Sequence, residues 1–184
     1  MSLALTEEDG RVLIETARQA IASRLSQKAG CYTAPITPAL MVPCGAFVTL
    51  KLEGCLRGCI GRISSTRSLL QTVKEVAISS AFEDPRFPPV TKSEWPSIRV
   101  EVSVLSPMKR VADPQAVCVG THGVMIRSGF NSGLLLPQVA TEQGWDREMF
   151  LSNACRKAGL SPEAWRNPST EIEVFSAMVF VQPE

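Results

Sequence analysis

At 184 residues and 45% apolar side chains, the chain is long enough for one domain with a real core, with room for two lobes inside it. The balance of 19 basic against 18 acidic residues, a formal net charge of +1, removes any global electrostatic case for nucleic acid or an anionic membrane and leaves only local patches. No apolar run approaches the roughly 18 residues of a membrane span, and Met1 to Asp9 carries neither the basic region nor the apolar segment of a signal peptide.

Thr6 followed by Asp9 predicts a helix start, with side-chain oxygens for the free amides of the first turn. Val12, Leu13, Ala17, Ala20, Ile21 and Leu25 recur at helical spacing, and Gly30 marks the expected end. Cys31 to Gly45, with Pro35, Pro38 and Pro43, reads as an extended connection. Gly45–Leu52 and Cys55–Ile63 are strand-like runs joined by Glu53-Gly54, a hairpin by composition. A second helix is expected after a cap at Ser65 or Thr66, with Leu69, Leu70, Val73, Val76, Ala77 and Ala81 as its apolar stripe. It stops at Phe82-Glu83-Asp84-Pro85-Arg86-Phe87-Pro88-Pro89, where the prolines forbid continuation.

Ile98, Val100, Val102 and Val104 alternate with Arg99, Glu101 and Ser103 and predict a half-buried strand. Short strands are expected at Val117–Val119, Val124–Ile126 and Leu134–Leu136. Asp146 predicts a helix cap, with the helix running to Ala158 and Gly159 at its end. Val174–Val181 reads as one final strand. Hairpin-like links outnumber strand-helix-strand alternation, which predicts an α+β fold with a mainly antiparallel sheet and flanking helices.

The six cysteines, Cys31, Cys44, Cys55, Cys59, Cys118 and Cys155, form no CxxC pair. Without a secretory signal they read as reduced thiols of a cytoplasmic protein. His122 is the only histidine, so no zinc or other metal site is expected.

Leu56-Arg57-Gly58-Cys59-Ile60-Gly61 is the first candidate site. Gly58 and Gly61 weaken a strand and leave room for close approach to its backbone. A guanidinium beside a thiol favours the thiolate. In an ideal strand Cys55, Arg57 and Cys59 share one face and Leu56, Gly58 and Ile60 the other. Cys59 thus reads as a nucleophile, against the plainer reading of a small buried residue. Arg57 reads either as a clamp for a carboxylate or phosphate, or as the structural partner of Glu101, Asp84 or Glu83. His122, between Gly120 and Gly123, is a candidate base if folding brings it to Cys59, and otherwise a turn residue. Asp84 and Arg86 sit on a proline-locked loop that either ties down the helix end or walls a cleft. Glu101 reads as a cross-strand partner of a base, or as an acid/base group if desolvated. The three tryptophans, Trp95, Trp145 and Trp165, read as core or lobe-contact residues.

Four segments together resemble the AMMECR family: Gly45–Leu50; Leu56–Gly61; Phe82–Pro89 followed by Glu101–Pro107; and Leu134-Leu135-Leu136-Pro137-Gln138-Val139-Ala140 with Gly144-Trp145-Asp146. They run over nearly the whole chain in the family's order. The resemblance implies a two-lobed, RAGNYA-like α+β fold, a grouping whose members bind nucleic acids, nucleotides or peptides. In microbes it implies the A component of the AmmeMemoRadiSam system, with Memo-like and radical SAM proteins as partners. It brings no established reaction or cofactor, and a fold alone decides neither.

The leading expectation is a cytoplasmic enzyme or enzyme subunit. Its cleft holds Cys59, Arg57, His122 and Glu101 as catalytic candidates, with Arg57, Gly58, Gly61, Asp84 and Arg86 contacting an anionic small molecule or a protein side chain. The alternative is a non-catalytic module for a nucleotide, peptide or RNA, or an adaptor for another protein.

Overall fold

The structure is a computed structural model that describes residues 5–26 and 35–183. Gly30 and Cys31 lie outside the described residues. In chain order the elements are α1 (Glu7–Ser26), β1 (Ala46–Leu52), β2 (Cys55–Arg62), α2 (Leu69–Phe82), β3 (Ile98–Leu105), β4 (Lys109–Val111), β5 (Gly123–Ser128), β6 (Asn131–Leu135), α3 (Pro137–Glu142), α4 (Arg147–Lys157), β7 (Glu171–Phe175) and β8 (Ala177–Val181). The fold is α+β, with two four-stranded sheets, ordered β2-β1-β3-β8 and β4-β7-β5-β6, whose registered pairs are antiparallel. The chain forms two compact units, Met1–Leu105 with Met178–Glu184, and Ser106–Ala177.

In the first unit the start of α1 is a reciprocal cap. Thr6 Oγ1 accepts from the Asp9 amide at 3.1 Å, and Asp9 Oδ2 accepts from the Thr6 amide at 2.9 Å. The stripe Val12, Leu13, Ala17 and Ile21 packs with Leu69, Val73, Val76 and Ala77 of α2 and with Val48, Leu50, Val100 and Val102 of the sheet. Both helices therefore bear on the first unit's core, and β2 is left at the sheet's edge. The α2 cap is Ser68, which accepts from the Gln71 amide at 3.3 Å, rather than Ser65 or Thr66. Ser65 is used one turn earlier, accepting from the Arg67 amide and from the Thr72 hydroxyl. The proline-rich connection holds a 3-10 turn, Pro38–Met41, that buries Leu40.

In the second unit Asp146 caps α4 by accepting from the Met149 amide at 2.8 Å, as expected. Phe150, Leu151, Ala154 and Cys155 pack with Val124, Ile126, Ile172, Val174 and Trp165. Three expectations change. Val117–Val119 is not a strand; Val117 follows a 3-10 turn, Pro114–Ala116, begun by Asp113. The predicted final strand is two, β7 and β8, divided at Ser176 and placed in different sheets. The break fits backbone bonding at Ser176, whose carbonyl and amide are taken by the Ser106 amide and hydroxyl. The short α3 and β4 were not expected. Pro137 sits in the first turn of α3, where its missing N–H is harmless.

Candidate functional site

The hairpin β1–β2 turns on Glu53 and Gly54, both with positive φ (51° and 79°), which is the two-residue turn suited to twisted strands. Leu52 faces Cys55 and Lys51 faces Leu56, but Leu50 then faces Gly58. Arg57 is therefore a bulge residue with no partner in β1, and bulges re-aim side chains. The bulge overturns the expected alternation. Leu56 is 44% exposed, Arg57 is 8% exposed, and Cys55 no longer shares a face with Cys59.

Re-aimed, the Arg57 fork meets Glu94. Its Nε donates to Oε1 at 2.9 Å and its Nη2 to Oε2 at 3.3 Å, with a longer contact to the Pro89 carbonyl at 3.5 Å. Thr91 also donates to Glu94 from its amide and hydroxyl. These bonds, Arg57 first, hold the Glu94 carboxyl down to about 2 against its usual 4.5. A depressed native pKa stabilises the fold above the unfolded value and loses that effect as pH falls through the native one. Stability measured by urea unfolding should therefore decline between about pH 4.5 and 2. Glu94→Gln is expected to flatten the slope in that window; an unchanged slope would show that the pair contributes nothing.

The space left by the two glycines is occupied by the protein. A Cβ on Gly58 would run into the backbone carbonyl of Ser80 on α2, and one on Gly61 into the Phe47 ring. Ser80 also accepts from the Ile60 amide at 2.8 Å and donates to the Val48 carbonyl at 2.8 Å, tying the helix to both strands.

Cys59 lies on the sheet face opposite these helix contacts. Its register partner Thr49 donates its hydroxyl to the sulfur at 3.3 Å, and Thr49 in turn faces Glu101 on β3. Cys59, Thr49 and Glu101 thus form a row across three strands, the backbones of Cys59 and Glu101 standing about 10 Å apart by two inter-strand steps. Glu101 pairs with Lys51 Nζ at 2.7 Å, the cross-strand role read from the sequence.

The backbone of Cys59 is clamped from the edge. Its amide donates to Asp84 Oδ2 at 2.8 Å, and its carbonyl accepts from Arg86 Nη2 at 3.1 Å. Arg86 is fixed by a two-point bond to Asp84, Nε to Oδ1 at 2.9 Å and Nη2 to Oδ2 at 2.7 Å. Asp84, only 4% exposed, has its pKa driven far below the carboxylate range, chiefly by Arg86 and further by the Cys59 and Arg86 amides, against the opposing effect of burial. The Arg86 pKa is raised, first by Asp84 and also by attraction to Cys59. The guanidinium that bonds Cys59, at its carbonyl, is thus Arg86, while Arg57 is turned to Glu94. Phe87 spaces the two, its ring centroid 6.0 Å from Arg57 and 5.5 Å from Arg86.

The structure brings Cys59, Asp84, Arg86 and Glu101 to one sheet of the first unit. His122 belongs to the second unit, where its Nδ1 accepts from the Cys118 amide at 3.1 Å within its own turn. Thr49, Lys51, Ser80 and Glu94 were missed. No motif marks Lys51, Ser80 or Glu94, and Thr49, though inside the Gly45–Leu50 segment, falls opposite Cys59 only because of the bulge. No group of three or more metal-ligating side chains is found among the described residues. Among the described residues no helix is long and apolar enough to cross a membrane.

The AMMECR1 family profile matches residues 14–180. Protein MK0488 of Methanopyrus kandleri is 45% identical over 193 residues, covering 100% of this chain and 93% of its own length. A protein of Methanothermobacter thermautotrophicus is 43% identical over 183 residues, covering 96% and 95%. The crystal structure of the uncharacterized protein PH0010 from Pyrococcus horikoshii superposes with a TM-score of 0.89 at 39% identity, covering 97% of this chain and 93% of that one. With the profile spanning both units and the solved relative sharing the fold, the chain belongs to the AMMECR1 family.

Proposed function

We propose that the chain is a cytoplasmic thiol enzyme, or the thiol-bearing subunit of one, with Cys59 as its nucleophile and an anionic small molecule or protein side chain as substrate. The observation that carries this is the setting of the sulfur. It is half-buried, accepts a hydrogen bond from Thr49, and lies beside Arg86 on a backbone held at both its amide and its carbonyl. A hydroxyl donor and a guanidinium close to a sulfur are the surroundings in which a thiol works as a nucleophile. Arg86 Nη1 has no hydrogen-bond partner among the described residues and supplies the donor for a substrate carboxylate or phosphate. Lys51 and Glu101 complete the polar face as charge-positioning groups. Memo-like and radical SAM proteins are the partners this reading assigns.

The alternative of a phosphate-binding module is less well supported. The amides of Cys59 and Ile60 already donate to Asp84 and Ser80, and the Arg57 fork is bonded to Glu94.

Alkylation tests the proposal. Cys44 and Cys155 are buried, and burial raises both thiols' pKa. Cys55 and Cys118 are exposed and serve as internal standards. Iodoacetamide near neutral pH, followed by peptide mapping, should label Cys59 several-fold faster than either standard despite its lower exposure. Labelling slower than both would remove Cys59 as a nucleophile.

A further inference from the structure

The flank of α1 carries a groove that shares no lining residue with the Cys59 site. Two adjoining hollows of about 370 and 250 Å3 have Ala22 and Trp95 in common. Ile14, Ala22, Leu25 and Trp95 supply apolar surface, while Arg11, Arg18 and Lys92 stand against one carboxylate, Glu15.

Arg18 is the informative residue. It is half-buried, with its guanidinium 4.6 Å from the Trp95 ring centroid. Its Nη1 donates to the Ile98 carbonyl at 3.0 Å and to Gln182 Oε1 at 2.7 Å. Each of these partners is neutral. Burial lowers the Arg18 pKa, and the nearby cation Arg99 lowers it further. Arg99 itself bonds the Pro183 carbonyl at 2.6 Å. Among the described residues, neither arginine nor Lys92 has an ion pair. A half-buried cation facing neutral acceptors and a like charge has no ion-pair partner among the described residues, and an external anion provides one.

The groove follows α1 from Arg11 to Ser26, about 22 Å at the helical rise of 1.5 Å per residue. That length and its open side suit a chain segment better than a compact metabolite. We propose that this groove docks an acidic segment of a partner protein, with apolar side chains on Trp95 and Leu25 and carboxylates at Arg18 and Lys92. The apolar surface gives contact area, and the uncompensated cations select the sign of the partner.

The test uses the full chain and a fluorescein-labelled synthetic peptide of alternating glutamate and leucine, read by fluorescence anisotropy. A lysine-leucine peptide is the control. The glutamate peptide should bind saturably and weaken as salt rises. Lys92→Glu, at an exposed position, should lower affinity about tenfold with an unchanged melting curve. Equal binding of the lysine peptide, or full affinity in Lys92→Glu, would overturn the proposal. Complete displacement by inorganic phosphate would also overturn it, because the groove would then be a small-anion site. None of these outcomes bears on Cys59.

Discussion

Replacing Asp84 by alanine is expected to lower the stability of the chain by about 3 kcal/mol, the order found when one partner of a buried, hydrogen-bonded charge pair is removed. Asp84 is 4% exposed and accepts from the Cys59 amide, the Arg86 amide and two nitrogens of the Arg86 fork. Alanine leaves these donors without their acceptor and frees the edge strand at Cys59. The Arg86 side chain is 53% exposed, so water compensates part of its loss and the effect stays below the upper end for sealed pairs. For a chain of this length the change corresponds to a fall in melting temperature of about 6–12 °C. Because the native Asp84 pKa is depressed below 3.8, its stabilisation is complete above that value and is lost as pH falls further. The difference between wild type and Asp84→Ala should therefore be full at pH 7 and shrink below about pH 4. A difference of less than 1 kcal/mol at pH 7 would mean that the clamp contributes little.

The second large effect is expected at Gly58. A methyl group there meets the Ser80 backbone carbonyl, and backbone cannot rotate away as a side chain can. Helix α2 must move off β2, disturbing the Ser80 bonds to Ile60 and Val48. Overpacking of this kind destabilises by about 1–3 kcal/mol, and the loss of the attached hydrogen bonds places Gly58→Ala at the upper end. Leu56→Ala, two residues away and 44% exposed, should stay within about 0.5 kcal/mol. Urea unfolding of the two variants separates the cases. Equal effects would show that the close approach of α2 is not what Gly58 serves.

Both predictions concern features whose residues stand out in the sequence while their partners do not. The apolar periodicities of α1 and α2, the alternation of β3, the Glu53-Gly54 turn and the Asp146 cap reflect local rules, and the structure follows them. The Ser65 or Thr66 cap was displaced because several hydroxyls precede α2, and the choice between them depends on the Val42 carbonyl bonding the Leu69 amide. The run Val174–Val181 reads as one strand because its break at Ser176 is set by Ser106, far away in sequence.

The same limit holds at the site. Cys59, Asp84, Arg86 and Glu101 are visible as residue types, and Arg57 beside Cys59 suggests which cation acts on the thiol. A single extra residue in β2 changes that answer. The bulge sends Arg57 to Glu94 and leaves the thiol to Thr49 and Arg86. Strand periodicity has no term for a bulge, so a reading by alternation assigns the wrong face to Leu56.

An assisted thiol at Cys59 depends on the Arg86 guanidinium. The decisive measurement is the ratio of iodoacetamide labelling rates at Cys59 and Cys55 in wild type and in Arg86→Gln, taken near neutral pH on protein shown to be folded. An Arg86-assisted thiol gives a ratio above one in wild type that falls several-fold in the variant. A ratio unchanged by Arg86→Gln, or below one from the start, would contradict an Arg86-assisted thiol at Cys59.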